Sequence, residues 1–176
     1  LSKSFATSVS PWVVTPEALE PFRSAQPARP EGDPQPLPYL FDEQDQQHGA
    51  LDIELEVLLL TEAMRDKGQP AQRIALSSTK NMYWTVAQMV AHHSVNGCSL
   101  QPGDLFGSGT LSGSSPESLG SLLEITQGGK QPLELPSGET RTFLDDGDEI
   151  ILKARCRRDG QASIGFGECR GRVMPA

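Results

Sequence analysis

The sequence predicts a mainly β fold with few helices, and three observations carry that expectation. Residues 51–59 alternate apolar and acidic side chains. Short apolar runs after residue 120 are broken at Gly128-Gly129, Ser137-Gly138 and Asp146-Gly147. Only 80–95 carries a sustained helical period. A chain of 176 residues is long enough to bury a core.

Taken in order, residues 5–14 are expected as a strand through Val9, Trp12, Val13 and Val14, with Pro11 imposing a bend or an edge position. Thr15 then reads as an N-cap, with Pro16 at the first helical position and Glu17 at the positive end of the dipole. Pro21, Pro27, Pro30, Pro34, Pro36 and Pro38 make 21–40 an extended connector, expected as a surface excursion. In LDIELEVLL, Leu51, Ile53, Leu55, Val57 and Leu59 oppose Asp52, Glu54 and Glu56, which is a half-buried strand with one wet face. Three carboxylates at spacing two could also bind a hard cation, but an acidic solvent face is the preferred reading.

The helix predicted over 80–95 takes its cap from Ser77, Ser78 or Thr79 and ends at Asn96-Gly97. His92 and His93 fall in its last turn, where the negative dipole end suits a cation, so a structural role is preferred for both. LQPGDL is a turn, and LFGSGT after it is expected as a short strand broken by glycine. Further strands are expected through SLLEI, the 130–156 region and ASIGFGECRGRVM.

Composition excludes several functions. A formal net charge of −8 opposes a phosphate backbone, and the one basic cluster, KARCRR at 153–158, adjoins the acidic DDGDE at 145–149. Nucleic acid is therefore not expected as a partner. No apolar run approaches the roughly 18 residues of a membrane span, so no membrane partner is expected. Cys98, Cys156 and Cys169 are odd in number and widely spaced, as reduced thiols of a cytoplasmic protein would be. The chain opens on LSKSFATSVSPWVV without an initiating Met or a leader, and reads as the middle of a larger protein.

GDLFGSGTLSG, 103–113, packs four glycines into a span that also holds Asp104, Ser108, Thr110 and Ser112. Gly107, Gly109 and Gly113 do not make the dinucleotide spacing, and no Walker lysine follows. A nucleotide phosphate is thus a poor fit, and a tight strand exit that needs glycine for its conformation is the bland alternative.

The exact strings go further. MYWTVAQMVAHHSVNGCSLQPGDLFGSGTLSG, KSFATSVSPWVV, PLPYL, FLDDGDEIIL and GFGECRGRV resemble, in order, the fumarylacetoacetases of the fumarylacetoacetate hydrolase family. The resemblance spans essentially the whole chain. It implies that 1–176 is the C-terminal portion of one catalytic domain, a mixed β-roll, with 21–40 inside it. The implied reaction is hydrolysis of the carbon–carbon bond of 4-fumarylacetoacetate, a diketo acid, to fumarate and acetoacetate in tyrosine and phenylalanine catabolism. A homodimer and a Mg2+ or Ca2+ cofactor are implied with it. Another diketo-acid hydrolase, a decarboxylase, or a non-catalytic binding module are the alternatives.

By the same resemblance, Glu124 partners the catalytic histidine, and Thr110 with Ser108 and Gly109 holds a substrate carboxylate. Lys3 and Thr7 lie beside the metal, Lys3 also neutralising an oxyanion, although Ala6 stands where the family has glycine. The metal-binding carboxylates and the histidine itself come, in the family, from sequence preceding the lysine motif, so this chain is expected to carry half a site and to be inactive alone.

Overall fold

The computed structural model describes residues 7–175. In chain order the elements are α1 (Pro16–Leu19), β1 (Arg23–Ser24), α2 (Glu43–His48), β2 (Ala50–Leu51), β3 (Glu54–Leu60), α3 (Glu62–Asp66) and β4 (Gln72–Ser78). They continue with α4 (Val86–Ser94), α5 (Leu122–Ile125), β5 (Leu133–Glu134), β6 (Thr140–Arg141), β7 (Glu149–Cys156) and β8 (Ile164–Arg172). Short helices joined to antiparallel sheets give the mainly β class the sequence predicts. The principal sheet runs β4-β3-β7-β8, with two-stranded sheets β1-β2 and β5-β6 beside it.

β3 forms where alternation is cleanest, and it is an inner strand, paired antiparallel with β4 on one side and β7 on the other. Its register sets Glu54 against Arg155 and Leu59 against Ile150. Two apolar clusters lie toward its two ends. Leu19, Phe22, Ile53 and Cys156 form one, and Leu59, Met64 and Leu135 the other. Burying Phe22, 1% exposed, contributes about 1.5–3 kcal/mol. This anchors the start of the proline-rich connector, and β1 then pairs Arg23 with Leu51. The excursion is therefore tied down at its beginning, and at its end by the buried Leu40.

Asp52, just before β3, and the acidic face of β3 are charge-paired. Asp52 meets Lys80 at 2.7 Å, Glu56 meets Arg73 at 3.7 Å, and Glu54 pairs with Arg155 across the strand register. Cations on neighbouring elements thus meet the carboxylates of the cation alternative, and the strand-face reading stands.

Four local expectations are corrected. Residues 7–14 form no strand: Pro11 lacks an N–H, and Trp12 gives its own to the Ser10 hydroxyl at 3.2 Å. Helix α4 starts at Val86 and not at 80, because Thr85 and Gln88 make a reciprocal capping box, while Ser78 caps only a single 3-10 turn at Thr79–Asn81. Residues 105–113 form no strand. SLLEI is helical, not extended, because Ser121 accepts the Glu124 N–H at 3.3 Å and closes a turn. The Thr15 cap on α1 is as expected, its hydroxyl accepting from the Ala18 N–H at 3.4 Å.

The hairpin β5-β6 is fastened to the principal sheet by a buried ion pair. Asp148, 0% exposed, accepts from Arg141 Nε at 2.8 Å and Nη2 at 3.0 Å, and from the Asp145 N–H at 3.0 Å. Arg141 also contacts Glu139, which receives the Thr61 hydroxyl proton at 2.6 Å. Asp148 leads this network in holding the guanidinium firmly protonated. Arg141→Ala leaves the buried Asp148 carboxylate with the Asp145 N–H alone and no counter-charge, and is expected to cost about 3–5 kcal/mol, read as a fall in the urea unfolding midpoint.

Candidate active site

The loop after Pro102 turns at Gly103, where the Asp104 N–H reaches the Gln101 carbonyl at 3.1 Å, and then runs exposed to Thr110. Gly109 has a φ of +78°, left-handed backbone that glycine adopts without strain. It is flanked by Ser108, whose hydroxyl donates to the Gly109 carbonyl at 3.0 Å. Phe106 and Ser108 line an apolar cavity of about 250 Å3 with Met82, Trp84 and Met89. Beyond Thr110 the chain docks on the sheet, because the Ser77 hydroxyl of β4 donates to the Leu111 carbonyl at 2.8 Å.

Gly120 makes the next contact possible. A Cβ there would lie 2.7 Å from the Leu111 carbonyl oxygen and 2.7 Å from Thr110 Cγ2, so only glycine lets the returning segment close on the loop. Its N–H donates to Ser112 Oγ at 3.0 Å. Ser112 Oγ in turn lies 2.8 Å from Glu124 Oε1 and 2.9 Å from Oε2, and Ser121 Oγ reaches Oε2 at 2.7 Å. Glu124 is exposed, yet two hydroxyl donors grip it. Ser121 first and Ser112 second hold its carboxyl below the usual carboxylate range, so it is ionised at neutral pH.

The structure therefore ties Glu124 to the loop through Ser112, two residues beyond Thr110, whereas Ser108 lines the Met82–Met89 cavity and neither it nor Gly109 makes a hydrogen bond to Glu124. A cavity of about 260 Å3 beside the loop is bounded by Leu111 and Gly120 on one side and Ser10 on the other, over a floor of β3, β4, β7 and β8. Thr7 is exposed and lies three residues before that wall. Lys3 lies outside the described residues. Among the described residues no group of three or more His, Cys, Asp or Glu is placed to hold a metal ion. His92 Nδ1 is engaged with Tyr39 Oη at 2.8 Å, and His93 stands edge-on to Phe106 with its Nε2 3.5 Å from Cys98 Sγ.

Sequence reasoning missed Ser112 and Ser121 as partners of Glu124. Ser121-x-x-Glu124 is a legible helix-start signal. Ser112 had none, because its contact spans twelve residues and depends on how the loop folds back.

Residues 1–174 match the family described as fumarylacetoacetate (FAA) hydrolase C-terminal. It is 51% identical over 176 residues to the fumarylacetoacetase of Homo sapiens, 49% to that of Rattus norvegicus and 47% to that of Arabidopsis thaliana. In each case all of this chain is covered and 39% of the relative, so the chain spans about two-fifths of the length of these curated relatives.

Gly120→Ala is expected to push the Thr110 backbone off the corner and to cost about 1–3 kcal/mol through overpacking. Thermal unfolding would report the loss. An unchanged midpoint would show that the corner has room the contacts deny.

Proposed function

The chain belongs to the fumarylacetoacetate hydrolase family, and we propose on that premise that the protein carrying it hydrolyses the carbon–carbon bond of 4-fumarylacetoacetate, giving fumarate and acetoacetate. One observation carries the reading: Glu124 is an exposed, firmly ionised carboxylate fixed by two hydroxyls at the corner where Thr110 and its glycines leave backbone accessible.

The chemistry asks for such a group. Water adds to the ketone conjugated with the unsaturated acid end, the carbon–carbon bond breaks to leave that carbon as the second carboxylate of fumarate, and the bond's electron pair departs as the enolate of acetoacetate, which then takes up a proton. A histidine that removes the proton from water works best when a carboxylate fixes its tautomer and stabilises the imidazolium. Glu124 is proposed in that role. Thr110, Ser108 and Gly109 supply hydroxyl and N–H donors for a substrate carboxylate, and Lys3 places an ammonium at the developing oxyanion. The role of Lys3, and the place of Thr7 beside the metal, rest on the resemblance of the KSFAT string.

The described residues do not fit a metal site, so no step is routed through one on this chain. The Mg2+ or Ca2+ that the family implies is proposed to take its carboxylates from outside residues 7–175. A cytoplasmic location is supported by three unpaired thiols, Cys98, Cys156 and Cys169. No helix among the described residues is long and apolar enough to cross a membrane. Association as a homodimer is proposed from the family resemblance; among the described residues β4 and β8 are the terminal strands of the principal sheet.

The test is hydrolysis by the full-length protein, followed through loss of the enol ultraviolet absorbance with Mg2+ or Ca2+ present. Glu124→Gln is expected to lower kcat by about 10²- to 10⁴-fold with KM little changed. Thr110→Val is expected to raise KM by about tenfold, as loss of one hydrogen bond to a charged carboxylate would. Full activity of Glu124→Gln would overturn the assignment.

A further inference from the structure

We propose that Ser112 is a positioning residue for this reaction, coupling the carboxylate-binding loop to Glu124. The proposal rests on the reading of Glu124 given above.

Three features single Ser112 out. Its backbone is pinned on both sides: the Leu111 carbonyl accepts from Ser77 Oγ at 2.8 Å, and the Gly113 N–H donates to the Ser118 carbonyl at 2.9 Å. The space around Gly113 is closed, since a Cβ there would fall 2.5 Å from Ser118 Oγ. The side chain is directed as well. One lone pair of Oγ is taken by the Gly120 N–H at 3.0 Å, so the single hydroxyl proton is left for Glu124, whose two oxygens stand nearly equidistant at 2.8 and 2.9 Å. A hydroxyl nearly equidistant from both oxygens fixes where the carboxylate stands, while its rotation about Cγ–Cδ is set by Ser121 Oγ, which touches Oε2 alone.

Ser121 differs in kind. Its hydroxyl lies three residues before Glu124 at the start of the same short helix, so it moves with the carboxylate and orients it only relative to α5. Ser112 comes from the substrate loop, two residues beyond Thr110. It sets the carboxylate relative to the place where the substrate acid end is held. The outer side of Glu124 stays open to solvent, where an imidazole N–H can approach. A hydroxyl that holds the carboxylate beside the histidine acts on catalysis through geometry and basicity, as partners behind ligating or catalytic histidines do.

The sign of its pH effect follows from the hydrogen bond. Removing the Ser112 donor makes the Glu124 carboxylate more basic. A more basic carboxylate binds the imidazolium more strongly, so the histidine holds its proton to higher pH. Protonation of Glu124 itself also moves upward. Both changes displace the acid limb of the kcat profile toward higher pH.

The experiment uses the full-length protein and four variants: Ser112→Ala, Ser112→Thr, Glu124→Gln and the Ser112→Ala/Glu124→Gln pair. Ser112→Ala is expected to lower kcat by about 10- to 100-fold, leave KM within about twofold and move the acid limb upward. Ser112→Thr, which keeps the hydroxyl, restores the limb to its place, and the pair loses no more than Glu124→Gln alone. If Ser112→Ala keeps the parent kcat and profile while Glu124→Gln is crippled, the coupling is overturned and the reading of Glu124 survives. If Glu124→Gln itself is fully active, that reading fails first and the Ser112 role with it. A Ser112→Ala protein with a lower melting temperature and raised KM but an unmoved acid limb marks Ser112 as scaffold only and also overturns the proposal.

Discussion

The pairing of β3 on both of its edges is the constraint from which the rest of this structure follows. Its backbone N–H and C=O groups are satisfied by β4, which is near in sequence, and by β7, which lies some ninety residues later. A slip of one residue would turn Leu59 and the cluster around Met64 and Leu135 toward water and present Glu54 and Glu56 to the core. The register is therefore held by the burial it makes possible. Because β7 is located by β3, the Asp148–Arg141 pair, and with it the β5-β6 hairpin, has a fixed place to dock.

That same sheet supplies the floor of the candidate site. Ser77, on β4, holds the Leu111 carbonyl, so the glycine-rich corner is a loop fastened to a strand and not a free flap. From there the chain of contacts is short: Leu111 beside Ser112, Ser112 to Gly120 and Glu124, Glu124 to Ser121. Each link needs the one before it. Without the anchor on β4 there is no surface for Gly120 to return to, and without a glycine at 120 the approach is blocked by Thr110 and the Leu111 carbonyl. An exposed carboxylate acquires a defined direction because the loop has been given one.

The charged residues divide in a similar way. Glu54 and Glu56 on β3 and Asp52 just before it each meet a cation, and they serve the sheet's surface. Glu124 has neutral hydroxyls as its partners, which keep it ionised while leaving its charge uncompensated. A carboxylate of that second kind retains the capacity to stabilise a neighbouring imidazolium, whereas one already paired with arginine has given most of it up. The environment separates the two roles, and residue type does not.

By itself the sequence determined the fold class, an inner strand within 51–59 that the structure places at Glu54–Leu60, the Thr15 cap, the turns at Gly97 and Gly103, and, through resemblance, Glu124 and Thr110 as the residues to examine. Those features are local, written in periods of two, in caps and in glycine positions that act over a few residues. It misplaced what depends on competition between local signals. The capping box at Thr85 overrides the serines at 77 and 78, and Ser121 turns SLLEI into a helix despite its apolar run. The failure of 7–14 to form a strand turns on Pro11, which has no N–H to give, and on Trp12, whose N–H goes to the Ser10 hydroxyl. Only the tertiary structure decided that Ser112 would grip Glu124, because a hydrogen bond across twelve residues exists only after sheet, loop and glycine have brought its two ends together.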